Sequence, residues 1–543
     1  MKRFLFPAIL LLAFALRVLF LGSVPQGVTH DELGYIFNAY SISKTGMNVF
    51  GEMTPLFTWM VVGGFPFLPV PIYIGAIFFS FLPFSVFAGR LPSALLGTAD
   101  VFLLYILVNQ LFKNRALSLL SALFLAVSPW HLHFSRSAYD PNFSLFFYLL
   151  AAVVFFYEAE KKRIPIFSSL ALLFAVFSYR GMSPVFLPFS CLLLWYGIRA
   201  YKLPLRSVLQ RIVGIGIVLF LFLAAIVFFG KSYTQEALFF NDPKIQEAVN
   251  KEIREAEGPL FIRRIFLNKP TYITAKLREN YLRGYSTEYL FLYTEPHRIY
   301  SIWSRGRVYA LDLLFVIAGA IFLFSQKSRS AAVIIGAVLI GGIPGLLGGM
   351  PYSARNYLIA AFLPVLTAGG VVGLAHLFKS KVAKIIFVVL IIVFYSYSVA
   401  GYLFDYYARY SHQAAESWAK SLKDVSLFVG DNAHLYDKVV IGNTSFGDVL
   451  QYALYNNIAP SDVQDSWRGR AMQNDRGEYV LGKVIFKSGC DVFEDKTMRK
   501  IPEMPDDTLL IVRSDCTKTY SPDKVIKDYY GNTVWKIYSL NKN

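Results

Sequence analysis

Residues 113–142 read KNRALSLLSALFLAVSPWHLHFSRSAYDPN, and three features succeed one another in this stretch. Lys113 and Arg115 stand at a basic edge, an apolar run covers roughly 117 to 135, and a short turn then carries His131, His133, Arg136 and Asp140. An apolar run of this length bounded by lysine and arginine on one side predicts a membrane span whose basic end stays in the cytoplasm. The same grammar repeats along the chain, with further apolar runs at about 4–21, 90–110, 143–157, 164–180, 184–198, 212–230, 308–325, 331–349, 356–377 and 384–403. That makes about eleven spans.

Composition agrees: 55% of the 543 residues are hydrophobic and only 16% are charged, against about 25% charged in soluble domains. The net charge of +17 would suggest nucleic acid in a soluble protein. Here the basic residues sit between apolar runs, in alternate connections: Lys113 and Arg115; Lys161, Lys162 and Arg163; Arg199, Lys202, Arg206 and Arg211; Lys327 and Arg329; Lys379, Lys381 and Lys384. These are the expected cytoplasmic loops. The first run follows Lys2 and Arg3 and lacks a small-x-small cleavage site, so it reads as a retained helix with the N-terminus inside.

Counting the proline-broken stretch Phe65 to Phe87 as a span would invert every later loop, so it reads as an interfacial or re-entrant helix. The expected organisation is a transmembrane domain over 1–403, with outer loops at 23–89 and 231–307, and an extracytoplasmic α/β domain over 404–543. In the tail, strands are expected at Lys438 to Ile441, Leu509 to Val512 and Val534 to Tyr538, with a helix opening at Ser521-Pro522. The outer loop 231–307 should hold an amphipathic helix from Asp242-Pro243 to Gly258, with Ile245, Val249 and Ile253 on one face. Cys191 lies in a span, while Cys490 and Cys516 lie in the tail, bridged or as free thiols.

The outward connections hold the candidate chemistry. Asp31 and Glu32 follow the first span; they fit a helix cap, and they fit a general base at the membrane surface. Asp140 in Asp-Pro-Asn suits a helix start, and capping does not preclude catalysis. His131 and His133, spaced i and i+2 near carboxylates, leave a divalent metal open as a cofactor. Arg90, Arg180 and Arg355 stand at outer span ends, where snorkelling explains any one of them and phosphate binding suits several together. His297 and Arg298 are weaker candidates for the same task. The stretch GEYVLGK (477–483) mimics a phosphate loop but continues with Val484 where a hydroxyl is needed, and no HExxH, paired CxxC or nucleophile elbow is present.

An outward active site has no access to cytosolic nucleotide sugars, so a transferase there needs a membrane-tethered donor such as a polyprenyl-phosphate sugar. With the acid pair Asp31-Glu32, RLPSALLG from Arg90, the stretch LFKNRALSLLSALFLAVSPWHLHFSR ending at Arg136 and RNYLIAAFLP from Arg355, residues 1 to 400 resemble the GT-C glycosyltransferases. The protein mannosyltransferase and lipid A aminoarabinose transferase branch is the most similar. The resemblance implies an inverting transfer, a catalytic base at Asp31 and a supporting role in metal or substrate binding for Glu32. It also implies a juxtamembrane helix near Pro66 to Pro71, although the paired prolines usual there are spread out as PFLPVPIY. Were the acceptor a phosphate, no base would be needed and Asp31 would position substrate or metal. The expected partners are a polyprenyl-phosphate sugar, a lipid, glycan or protein acceptor, and membrane lipids, without nucleic acid; the expected location is the plasma (cytoplasmic) membrane. A lipid-linked sugar flippase is the rival from another class, disfavoured because charges cluster at helix ends and no repeat is visible. An oligosaccharide ligase or oligosaccharyltransferase differs only in the size of the group it moves.

Overall fold

A computed structural model gives the structure of the protein and describes residues 4–53, 60–62, 65–229, 244–292, 295, 298–302, 305–326, 328–349, 351–467, 478–490, 507–516 and 521–540. Each of the expected spans falls on a helix. Among the described residues seven helices are long and apolar enough to cross a membrane, from Val86–Phe112 to Lys381–Gln413, and an eighth span forms if Arg115–Val127 and Pro129–Ser135, bent by 58°, count as one. Leu5–Val18, Ile166–Val176 and Asp312–Ser325 have 14, 11 and 14 residues, about 17–21 Å of helix against a hydrocarbon core of roughly 30 Å. The chain is a multi-pass α-helical membrane protein with a small C-terminal α/β region.

By internal packing the chain divides into two units: Met1–Leu19, Ser93–Arg136 and Asp140–Leu403 form one, and Phe20–Pro92, Ser137–Tyr139 and Phe404–Asn543 the other. Phe20–Pro92, which follows the first helix, thus groups with Phe404–Asn543 and not with the helical unit.

In the helical unit, Asp312–Ser325 packs closely on Leu358–Leu377 through Gly319 and Gly370. A Cβ on Gly319 would lie 1.8 Å from the Leu366 carbonyl oxygen, and one on Gly370 2.0 Å from that of Phe315. Small residues allow this approach where lipid supplies no hydrophobic drive between helices. The amphipathic helix expected within 231–307 runs Lys244–Glu255 with Ile245 and Val249 buried; its expected start at Asp242-Pro243 lies outside the described residues. Arg263 Nη1 donates to the Ile253 and Ala256 carbonyls at 2.7 and 3.0 Å, satisfying groups that the helix end leaves open.

In the second unit, helix His30–Thr45 is followed by the short antiparallel strands Met60–Val62 and Phe65–Phe67 and by the apolar helix Pro69–Phe79. The expected helix in the proline-rich stretch is thus present, and at 11 residues it is too short to span. The C-terminal region builds a six-stranded mixed sheet in the order Glu478–Leu481, Val484–Lys487, Lys438–Gly442, Thr508–Arg513, Thr533–Leu540, Lys524–Lys527. The Lys438–Gly442 strand runs parallel to both neighbours. Its Val439 and Ile441 face the main core, and Val440 faces a smaller cluster with Leu510, Val512 and Cys516, the period-2 pattern of a strand covered on both sides. Cys516 is bridged to Cys490, with Cα atoms 5.2 Å apart, which resolves that alternative.

Two readings of the tail change. Ser521-Pro522 opens no helix; the chain passes into strand Lys524–Lys527, whose pairing with Thr533–Leu540 overrides the local helix-start signal. The mimic of a phosphate loop is a hairpin in which Glu478–Leu481 pairs antiparallel with Val484–Lys487 around a left-handed Gly482.

Candidate active site

The helix bearing the acid pair starts where the sequence places a cap. Thr29 is extended (ψ 164°), its Oγ1 accepts from the Glu32 backbone N–H at 3.3 Å, and Asp31 and Glu32 occupy the first turn, where negative charge complements the helix dipole. Thr29 Oγ1 also shares a 2.8 Å hydrogen bond with the Tyr139 hydroxyl.

The two acids then take opposite roles. Glu32 is wholly buried: its Oε1 accepts from Arg90 Nε at 2.7 Å and from the Ala138 backbone N–H at 2.8 Å, and its Oε2 accepts from Arg90 Nη2 at 2.8 Å. Arg90 completes its fork on the carbonyls of Leu21, Pro25 and Gly27 at 3.1, 3.1 and 2.6 Å, and its guanidinium lies over the Trp418 ring at 5.5 Å. Five N–H donors meet five acceptors, so the expectation that Arg90 grips a donor phosphate is corrected: it ties the loop preceding the acid pair to that pair. Glu32 is likewise engaged in this lock, with no lone carboxylate to offer a metal.

Asp31 is exposed and has no hydrogen-bond partner among the described residues. Its surroundings nonetheless desolvate it, and this raises its pKa above the ordinary carboxylate value while the neighbouring His30 pulls the other way. Burial of the charged form is the larger effect. A carboxylate that is reachable, unpaired and more basic than usual is equipped to take a proton.

The remaining candidates lie in the helical unit. His131 is fully buried; Arg17 Nη2 donates to its Nδ1 at 2.8 Å, so its Nε2 carries the proton and donates to Asp100 Oδ2 at 3.1 Å. Both ring nitrogens are spent on bridging a cation and an anion. Asp100, within helix Val86–Phe112, is an exception to the clustering of charges at helix ends. His133 Nε2 donates to the Ile299 carbonyl at 2.8 Å, and Arg136 Nη1 donates to the Leu16 and Arg17 carbonyls at 2.7 and 3.1 Å, capping the first helix. Among the described residues no three His, Cys, Asp or Glu side chains are grouped to hold a metal.

Asp140 begins helix Asp140–Glu160, as expected from Asp-Pro-Asn. It acts electrostatically on half-buried Tyr179 together with Arg355, Tyr300 and Glu295. Arg180 opens the 3-10 turn Arg180–Val185, and Arg298 is half-buried; His297 lies outside the described residues. Arg355 is half-buried, donates one hydrogen bond, to the Gly348 carbonyl at 3.2 Å, and lies over the Tyr352 ring at 5.0 Å. A Cβ at Gly348 would stand 1.9 Å from Arg355 Nη1, so a larger residue there would displace the guanidinium. Most of the Arg355 fork has no acceptor among the described residues.

Sequence reasoning missed Glu295, which pairs with Arg307 at 2.9 Å and accepts from Ser353 Oγ at 2.9 Å and from the Ser353 N–H, anchoring the segment that leads to Arg355. It also missed Arg17 and Asp100, although a carboxylate inside an apolar run is itself a signal.

This architecture has known counterparts. Residues 66–228 match the family model described as Dolichyl-phosphate-mannose-protein mannosyltransferase. The structure resembles ArnT from Cupriavidus metallidurans bound to undecaprenyl phosphate, with a TM-score of 0.53 and 10% identity over 99% of this chain and 98% of that one. It also resembles the Archaeoglobus fulgidus oligosaccharyltransferase tethered with an acceptor peptide, with a TM-score of 0.50 and 14% identity over 83% of this chain; the match spans 62% of the oligosaccharyltransferase's length. No curated protein matches by sequence. The class is therefore a multi-pass membrane protein with the fold of the GT-C glycosyltransferases. The matched family and these neighbours are GT-C members, as the motifs in the sequence led us to expect.

Proposed function

We propose that this protein transfers a sugar from a polyprenyl-phosphate donor to a hydroxyl-bearing acceptor of the cell envelope, at the membrane face opposite the cytoplasm. Asp31 removes the acceptor proton as that oxygen forms a bond to the anomeric carbon; the bond from that carbon to the donor phosphate breaks, and polyprenyl phosphate departs as an anion with inversion. Within the helical unit, Arg355 is the candidate for holding a polyprenyl phosphate, because a guanidinium fork with unused N–H groups suits phosphate oxygens. One observation carries the reading: of two adjacent carboxylates in one helical turn, Glu32 is consumed by Arg90 and Ala138 while Asp31 stays exposed and unpaired. The GT-C fold and the undecaprenyl phosphate bound to the Cupriavidus metallidurans relative support a lipid-borne donor.

The test is mass spectrometry of glycolipids and glycoproteins from a strain lacking the gene, with and without the wild-type chain. Loss of one glycosylated product, its restoration by the wild-type chain and accumulation of the corresponding polyprenyl-phosphate sugar are expected. Unaltered glycolipid and glycoprotein profiles would overturn the proposal.

A further inference from the structure

The helix that presents Asp31 is seated on the C-terminal region by two glutamine side chains. Gln451, wholly buried on helix Phe446–Tyr455, spends its single hydrogen bond on the Val28 carbonyl at 2.7 Å. Val28 stands immediately before the Thr29 cap and three residues before Asp31. At the other end, Gln464 on helix Pro460–Trp467 donates to Ser41 Oγ, Thr45 Oγ1 and the Asn48 carbonyl, each at 2.9 Å. Between these clamps, Leu33, Ile36 and Phe37 of the Asp31 helix share a core with Val449, Leu450 and Ala453. Phe50, just beyond the helix, stacks on Phe446 and packs against Trp467 at ring separations of 5.6 and 4.7 Å.

We infer that Gln451 and Gln464 are positioning residues for the transfer reaction, and that the C-terminal region is the seat fixing the catalytic base; this rests on Asp31 acting as that base. A buried amide donor is retained at a cost unless it is paired. Gln451 directs its bond to the backbone carbonyl immediately before the Thr29 cap, whose own carbonyl accepts the first intrahelical bond from the Leu33 N–H at 2.8 Å. Apolar packing holds the helix against the core, Arg90 and Ala138 hold Glu32 in its first turn, and the two glutamines add directional bonds from the C-terminal region at both of its ends. A displacement of about 1 Å at a reacting group lowers turnover by up to roughly a hundredfold without altering affinity for the rest of the substrate.

The experiment uses the full-length protein in lipid nanodiscs, with the polyprenyl-phosphate sugar that accumulates in the deletion strain, purified from it, as donor and membranes of that strain as acceptor. Gln451→Met and Gln464→Met remove the donors while conserving most of the volume. For each, kcat is expected to fall by about tenfold or more while the donor KM changes by less than about twofold. Amide hydrogen exchange across Val28–Gly34 should quicken in Gln451→Met. Should Gln451→Met fail to fold, the partly buried Gln464→Met carries the test through the same split between kcat and KM.

Wild-type kcat in folded variants, or a change confined to KM, would overturn the inference. Asp31→Asn is measured beside them. If it turns over normally, or if wild type does not consume the donor, the functional reading fails and takes this inference with it. If Asp31→Asn is inactive while both glutamine variants match wild type, only the positioning role fails.

Discussion

Arg90 and Glu32 form a fully buried bidentate ion pair, Nε to Oε1 at 2.7 Å and Nη2 to Oε2 at 2.8 Å. The planar guanidinium matches the carboxylate edge, and lysine offers no such fork. Because carbonyls and the Ala138 N–H satisfy the remaining groups, desolvation of both charges is compensated only while both are present. Glu32→Gln or Arg90→Leu should therefore cost about 3–5 kcal/mol, the usual penalty for stranding one buried charge, read by chemical unfolding in detergent. Donor affinity of the Glu32→Gln protein that stays folded should be near wild type.

Arg355 should behave in the opposite way. Arg355→Gln removes a partly exposed guanidinium with one backbone bond, so its unfolding midpoint should stay within a few degrees of wild type. If it grips the donor phosphate, the loss of charge-assisted bonds worth about 1.5–3 kcal/mol weakens donor binding roughly ten- to hundredfold. Equilibrium binding of a labelled polyprenyl phosphate measures this.

His131 bridges Arg17 and Asp100 inside the helical unit. His131→Leu should destabilise the protein by about 3–5 kcal/mol, because it leaves a buried cation and anion without their connection. In a double-mutant cycle with Asp100→Asn the losses should be non-additive, since the second change removes the charge that the first one strands. Strict additivity would show that the bridge carries no coupling.

Asp31 gives the pH dependence its sign. Folding raises its pKa, so a base with this carboxylate works when ionised, and turnover should decline as pH falls through a midpoint above the ordinary aspartate value of about 3.9. For stability the sign is reversed. A raised folded-state pKa means stability fully present below the unfolded pKa and lost as pH rises through the folded one. Asp31→Asn should accordingly unfold at the same or a higher temperature than wild type at neutral pH, with the difference closing in acid. Calorimetry across pH measures it, and a variant less stable at neutral pH would contradict the assigned burial effect.

The helices were legible because long apolar runs between lysine-rich connections leave few alternatives, and Lys244–Glu255 was legible from the spacing of Ile245 and Val249. The acid pair was legible as a candidate but not its division of labour. Glu32 meets Arg90 at 58 residues' separation and Ala138 at 106, and no periodicity reports such pairs. Arg90 resembled the other span-end arginines, Arg180 and Arg355, until its five acceptors were visible. Ser521-Pro522 misled because local cap chemistry is weak against a strand partner such as Thr533–Leu540. Val28 and Ser41 are joined to the C-terminal region through Gln451 and Gln464, more than 400 residues away along the chain, a link that only the folded chain displays.

The most direct test is single-turnover transfer from a radiolabelled polyprenyl-phosphate sugar by Asp31→Asn, with donor binding measured on the same preparation. The account predicts a rate about 10²–10⁴-fold below wild type with donor affinity nearly unchanged. Transfer at the wild-type rate would contradict it.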